Sequence, residues 1–172
     1  MGVAEITKEF PIAYKDYFIR ALKISDIDDY IELFKRGDGG FVLGVGKEQD
    51  MKSWLECVCN NIKLGSIRKE IEFRAVIENR VGKIIGGISV LEVSSNVYEL
   101  GYFVIKKYRG NGIASEIVRY VADHVLKLHE GCKLVLKIRK HNVASRHVAA
   151  NAMFKLSRYD SEKRLDIYER IS

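Results

Sequence analysis

The chain has 172 residues, which at about 150 residues per domain argues for one compact unit spanning positions 1–172, long enough to bury a full core. With 47% apolar residues, 30% charged residues and one proline, it is unlike a disordered, collagenous or low-complexity chain. The 29 Lys and Arg exceed the 23 Asp and Glu by six, which favours an acidic partner such as a nucleic acid, an anionic surface or a nucleotide cofactor without choosing among them. No apolar run nears the roughly 18 residues of a membrane span, because the longest candidate, Ile84 to Leu91, contains Gly86, Gly87 and Ser89. The opening MGVAEITKEF places acids and a lysine where a secretory signal is apolar, so the expected location is cytoplasmic, with no membrane association. Cys57, Cys59 and Cys132 are odd in number and widely split, so neither a disulfide framework nor a zinc site is expected.

Tyr17 to Leu22 reads as a short strand, and Ser25 as the N-cap of an acid-opened helix from Asp26 to Arg36. Gly37 to Gly46 holds five glycines in ten residues and reads as a mobile loop. Its GVGK ending has Phe41 and Glu48 where a phosphate-binding P-loop needs glycine and Ser or Thr, so that motif is rejected. Glu48 to Leu64 has Met51, Trp54, Leu55, Val58 and Ile62 at helical spacing. Three strand-like runs follow, Ile71 to Glu78, Lys83 to Glu92 and Val97 to Ile105, and their short turns predict an antiparallel meander.

After the turn at Tyr108 to Gly112, Ile113, Ile117, Val121, Val125 and Leu128 form one stripe of a long helix ending near Gly131. Lys133 to Arg139 alternates as a strand, so Val97 to Arg139 is a strand, helix, strand crossover with parallel strands. A further helix is expected from Asn142 to about Leu156, then strands at Ser157 to Tyr159 and Arg164 to Ile171.

The crossover carries the strongest chemical signal. Arg109, Gly110, Asn111, Gly112, Ile113, Ala114 and Ser115 join a strand to the N-terminus of the long helix, where backbone N–H groups lack internal acceptors and the dipole is positive. Glycines at 110 and 112 let an anion approach those amides, and Arg109 and Ser115 add donors, so the turn suits a diphosphate. The plainer alternative is a turn in which the glycines only supply unusual backbone angles. A dinucleotide fingerprint fails, since Ser115 fills the third glycine position and the next strand ends in Arg139, Lys140 and His141 rather than an acid.

The loop Arg109 to Ala114 resembles the R/Q-x-x-G-x-G/A signature of the GNAT N-acetyltransferases. The likeness runs from about Tyr17 to Ile171 and is sharpest at Glu99-Leu100-Gly101-Tyr102-Phe103-Val104, at RGNGIA, and at Asn142-Val-Ala-Ser145 with Val148 and Phe154. The E-x-G-Y-aromatic and N-x-x-S pair is similar to the branch holding ribosomal-protein N-terminal acetyltransferases. The resemblance implies an α/β fold of α+β type, a mixed and mostly antiparallel sheet of about seven strands with about four helices. It also implies acetyl-CoA as cosubstrate, gripped by its pyrophosphate at Arg109 to Ser115. Two positions depart: the tyrosine many members carry on the last helix is Ala149 here, and the glycine that usually precedes the phenylalanine is Met153.

Acyl transfer to an amine needs a base, a carbonyl-polarising donor and a proton for the leaving thiolate. Simple alternation sets Glu99 on a face with Val97, Gly101, Phe103 and Ile105, among apolar groups, and makes it the candidate base through a water, against the alternative of a solvent-facing glutamate. Ser145, one turn into its helix, is the candidate proton donor to the pantetheine sulfur, with an ordinary first-turn serine as the alternative. Asn142 fits both an N-cap and a cofactor contact. Main-chain groups of Phe103, Val104 and Ile105 are candidates to pair with the pantetheine amides like an added strand, provided the next strand diverges there. His124, His129 and His147 have no metal-ligand spacing, and no metal is expected.

The leading expectation is direct acetyl transfer to a primary amine of a protein N-terminus, a polyamine-like molecule or an antibiotic, by a monomer or homodimer with possible ribosome association. The competing readings are a catalytically weak CoA-binding or interaction module, motivated by Ala149 and Met153, and an RNA-binding protein, motivated by the charge.

Overall fold

A computed structural model describes residues 10–35, 48–60 and 72–171. The elements are β1 (Ile12–Tyr14), β2 (Tyr17–Ala21), α1 (Ile27–Lys35), α2 (Glu48–Cys59), β3 (Glu72–Asn79), β4 (Ile84–Ser94), β5 (Val97–Val104), α3 (Ile113–Leu128), β6 (Lys133–Arg139), α4 (Val143–Asn151), β7 (Lys155–Asp160) and β8 (Leu165–Ile171). Among the described residues the strands form one eight-stranded sheet in the order β1-β2-β3-β4-β5-β6-β8-β7. Every pairing is antiparallel except β5 with β6. The meander and the parallel crossover are therefore as expected. The strand beyond the expected seven is β1, a three-residue piece that closes a tight hairpin on β2 with Lys15 at φ 51°.

Two other boundaries differ. Ser25 does not cap α1: a 3-10 turn, Ile24–Asp26, precedes the helix, and the Lys23 N–H donates to the Asp26 carboxylate at 2.8 Å. Asp26 is also held by Arg20, whose guanidinium bridges it to Glu78 at 2.6 Å on each side, so the carboxylate that closes the turn is fixed in place. α4 stops at Asn151 instead of running to Leu156, because Met153 takes the left-handed conformation at φ 67° and the Phe154 N–H turns back to the Ala149 carbonyl at 2.9 Å. β7 consequently starts at Lys155. The glycine stretch from Gly37 to Gly46 and the expected end of the second helix lie outside the described residues.

Alternation along β5 sends Phe103 to one face, where it meets Tyr30 of α1 edge-on at 5.4 Å, and Tyr98 to the other, where it packs on His129 after α3. Arg74 anchors the first layer: its buried guanidinium lies 4.5 Å from the Trp54 ring of α2, donates to Tyr30 Oη at 3.1 Å and pairs with Glu72 at 2.5 Å. α1 comes this close because β4 carries Gly87 beneath it. A Cβ on Gly87 would lie 2.8 Å from Tyr30 Oη, and one on Gly86 would lie 2.4 Å from the Phe103 carbonyl oxygen. Since that oxygen is backbone, the replacement Gly86→Ala must displace β5 itself. Its expected cost is about 2 kcal/mol, a fall in Tm of about 4–8 °C by scanning calorimetry.

Candidate active site

β5 and β6 pair only at Val97–Lys133, Tyr98–Leu134 and Glu99–Val135. Beyond Glu99, β5 stays with β4 as far as Val104, while β6 stays with β8 as far as Arg139. The sheet therefore forks, as the sequence reading required. In an antiparallel pair successive residues point their main-chain groups to alternate sides. The Ile105 N–H donates to the Ile85 carbonyl at 2.9 Å, toward β4, and the Phe103 carbonyl also faces β4 against Gly86. Tyr102 and Val104 therefore present their main chain to the fork. Of the three residues expected to pair with a ligand, Val104 keeps that orientation, and Phe103 and Ile105 are corrected: their backbone belongs to the sheet.

At the end of β5 a 3-10 turn, Lys106–Tyr108, leads into the glycine loop. Gly110 and Gly112 have φ of 82° and 76°, and a Cβ on either would meet nothing within 4 Å, so the glycines serve the backbone angle and leave the outer side open. Gly112 is the N-cap of the 16-residue α3 and supplies no side-chain cap, which leaves the first-turn amides of Ile113, Ala114 and Ser115 for an outside acceptor. Ile113 turns its side chain into the core and offers only its N–H. The acid of this turn, Glu116, is drawn to Lys15 at 2.6 Å.

Three side chains of the turn bond to the protein around them. Arg109 Nε donates to the Val104 carbonyl at 2.7 Å, tying the loop to the tip of β5. Asn111 Nδ2 lies 3.4 Å from the carbonyls of both Tyr108 and Arg109, and Ser115 Oγ accepts from Asn151 of α4 at 3.4 Å.

Glu99 stands at the crotch of the fork on the face it shares with Phe103, as alternation requires. It is not enclosed by apolar groups: its side chain is 26% exposed, and Lys137, one row along β6, donates to its Oε2 at 2.5 Å. Across the fork, the first turn of α4 meets β5. Ser145 Oγ is 2.6 Å from Tyr102 Oη, which also lies 3.3 Å from the Ser145 carbonyl. Burial pushes the Tyr102 phenol up to about 12, against the opposing effect of its hydrogen bond with Ser145. The Asn142 side chain accepts the Ser145 N–H at 3.1 Å, so Asn142 is the N-cap of α4. Ala149 is fully buried and brings no polar group to the cleft.

Tyr102 is the site residue that sequence reasoning passed over. It sits inside the E-x-G-Y motif, and alternation sets it on the opposite face from Glu99, but its meeting with a residue 43 positions away depends on where α4 docks. Among the described residues no group of three or more His, Cys, Asp or Glu could hold a metal ion.

Residues 17–155 match the family model of the acetyltransferase (GNAT) domain. Among solved structures, a ribosomal L7/L12 α-N-protein acetyltransferase in complex with coenzyme A is 19% identical, with a TM-score of 0.75 over 94% of this chain and 97% of that one. A ribosomal-protein-S5-alanine acetyltransferase from Vibrio fischeri is 17% identical, with a TM-score of 0.72 over 93% and 95%. Spermidine N-acetyltransferase from Vibrio cholerae is 16% identical, with a TM-score of 0.70 over 91% and 92%. A comparison with curated proteins finds no significant match.

Met153, at the close of α4, occupies a left-handed position that favours glycine by about 1 kcal/mol. The substitution Met153→Gly is therefore expected to raise Tm by about 2–4 °C in a thermal melt.

Proposed function

The chain belongs to the GNAT acetyltransferase family and is thus an acetyl-CoA-dependent N-acyltransferase; from that premise we propose that it passes the acetyl group directly to a primary amine in the fork between β5 and β6. The observation that carries the reading is the fork itself, an interruption in the middle of a sheet that leaves main-chain groups of Tyr102 and the N–H of Val104 facing an opening, with the uncapped amides of α3 following in the chain. Buried backbone groups require partners. An extended ligand with amide groups along its arm and a diphosphate at its end fits both needs, which is the chemistry of coenzyme A. In this reading the amides of Ile113, Ala114 and Ser115 bind the diphosphate, Gly110 and Gly112 let it approach, and Arg109 and Asn111 hold the loop in shape.

The thioester supplies the activated acetyl group: attack of the amine nitrogen on its carbonyl carbon breaks the C–S bond and leaves the electron pair on sulfur. Glu99 accepts the proton of the incoming ammonium through a water, and its ion pair with Lys137 fixes which oxygen faces the acceptor. Ser145 gives its hydroxyl proton to sulfur and regains one from solvent. The acceptor is a primary amine, in the first instance a protein N-terminus. That choice rests on the likeness to the two ribosomal-protein acetyltransferases, and the net charge of +6 suits an acidic, ribosome-associated partner. No helix among the described residues is long and apolar enough to cross a membrane.

A panel of N-terminal peptides of ribosomal proteins, spermidine and amine antibiotics, assayed by release of free thiol, tests the reading. Turnover is expected with the peptides, and Glu99→Gln should lower kcat about 100-fold or more while calorimetric binding of coenzyme A is retained. Turnover of spermidine alone would reassign the acceptor. Wild-type rates in the glutamine variant would remove Glu99 as the base.

A further inference from the structure

The contact between Tyr102 and Ser145 goes beyond packing. At 2.6 Å it is shorter than the usual separation of two hydroxyls. Ser145 has one proton and two acceptor lone pairs, Tyr102 has one proton, and either can in principle donate. If the serine donates, its only proton faces β5 and is withdrawn from the cleft. If the tyrosine donates, the serine proton is released to point elsewhere.

Two features select the second arrangement. A phenol is the more acidic hydroxyl and so the better donor in a short pair. Among the described residues the other acceptor at Tyr102 Oη, the Ser145 carbonyl, is 3.3 Å away and belongs to a helical turn whose carbonyls serve the amides four residues on. Asn142 meanwhile fixes the Ser145 main chain from the other side.

We propose that Tyr102 is a positioning residue, whose phenol donates to Ser145 Oγ and so aims the serine's single proton into the fork toward the departing sulfur. The inference rests on the role given to Ser145 above. As that proton moves to sulfur, negative charge gathers on Oγ and the Tyr102 hydrogen bond stabilises it; the phenol, the more acidic hydroxyl, shares its proton with Oγ, and water restores the proton the pair has given up. The raised pKa of about 12 fits the role, because a phenol that stays protonated remains a donor wherever the amine is reactive. Tyr102 also ties α4 to β5 across the opening.

The test is a cycle of Tyr102→Phe, Ser145→Ala and the double variant, each measured for kcat, KM for acetyl-CoA, coenzyme A binding by calorimetry and thermal melting. Phenylalanine keeps the ring and removes only the hydroxyl. The expected result is a roughly tenfold fall in kcat for Tyr102→Phe, with KM and coenzyme A affinity within about twofold and the double variant no slower than Ser145→Ala alone. A Tyr102→Phe variant with wild-type kcat, or a double variant slowed by the product of the two single effects, would overturn the proposal. If Ser145→Ala retains full activity, the serine's role and this proposal fall together. If Ser145→Ala is impaired and Tyr102→Phe is not, only the assignment of Tyr102 falls.

Discussion

Three residues of parallel pairing hold β5 to β6, and the site exists because the pairing stops there. Each strand has a stronger commitment on its outer side: β5 is paired with β4 along its whole length, and β6 with β8 along its whole length. Sheet twist carries two strands anchored to different neighbours apart once no ladder joins them. The unmet main-chain groups at such a break must be satisfied. In this protein the break lies beside a helix start that is itself short of acceptors, so one ligand satisfies both.

The surroundings of the fork are built to keep it open and shaped. Lys137 closes its crotch by pairing with Glu99, Tyr102 spans it to reach α4, and Arg109 clamps the loop to the tip of β5. On the face that carries Glu99, Gly87 of β4 lets Tyr30 and Phe103 pack closely, and Arg74 holds α1 and α2 through Tyr30 and Trp54. The layer on that face is thus set by the same rows of side chains that position the candidate base, and a shift in β4 would be felt at Glu99.

Much of this was legible in the sequence because it rests on local rules. The alternation of Leu134, Leu136 and Ile138 gave β6 its observed bounds, the apolar stripe from Ile113 to Leu128 gave α3, and glycines at 110 and 112 marked positive φ at a helix start. What could not be read depends on how distant pieces meet. The Glu99 carboxylate pairs with Lys137 because β6 lies one row across, a fact of register that neither segment states alone. The division of labour along Phe103, Val104 and Ile105 follows from which side β4 occupies. The early end of α4 hid behind Met153, where methionine adopts a conformation that a sequence reader assigns to glycine or asparagine.

Amide hydrogen exchange resolved to single residues, with and without coenzyme A, measures the central claim most directly. In the free protein the amides of Val104 and of Ile113, Ala114 and Ser115 have no sheet or helix acceptor and should exchange quickly. Slowing of these amides when coenzyme A is added, with the Ile105 amide unchanged in its bond to Ile85, is the outcome the fork requires. Saturation with coenzyme A that slows exchange elsewhere and leaves these four amides untouched would contradict it.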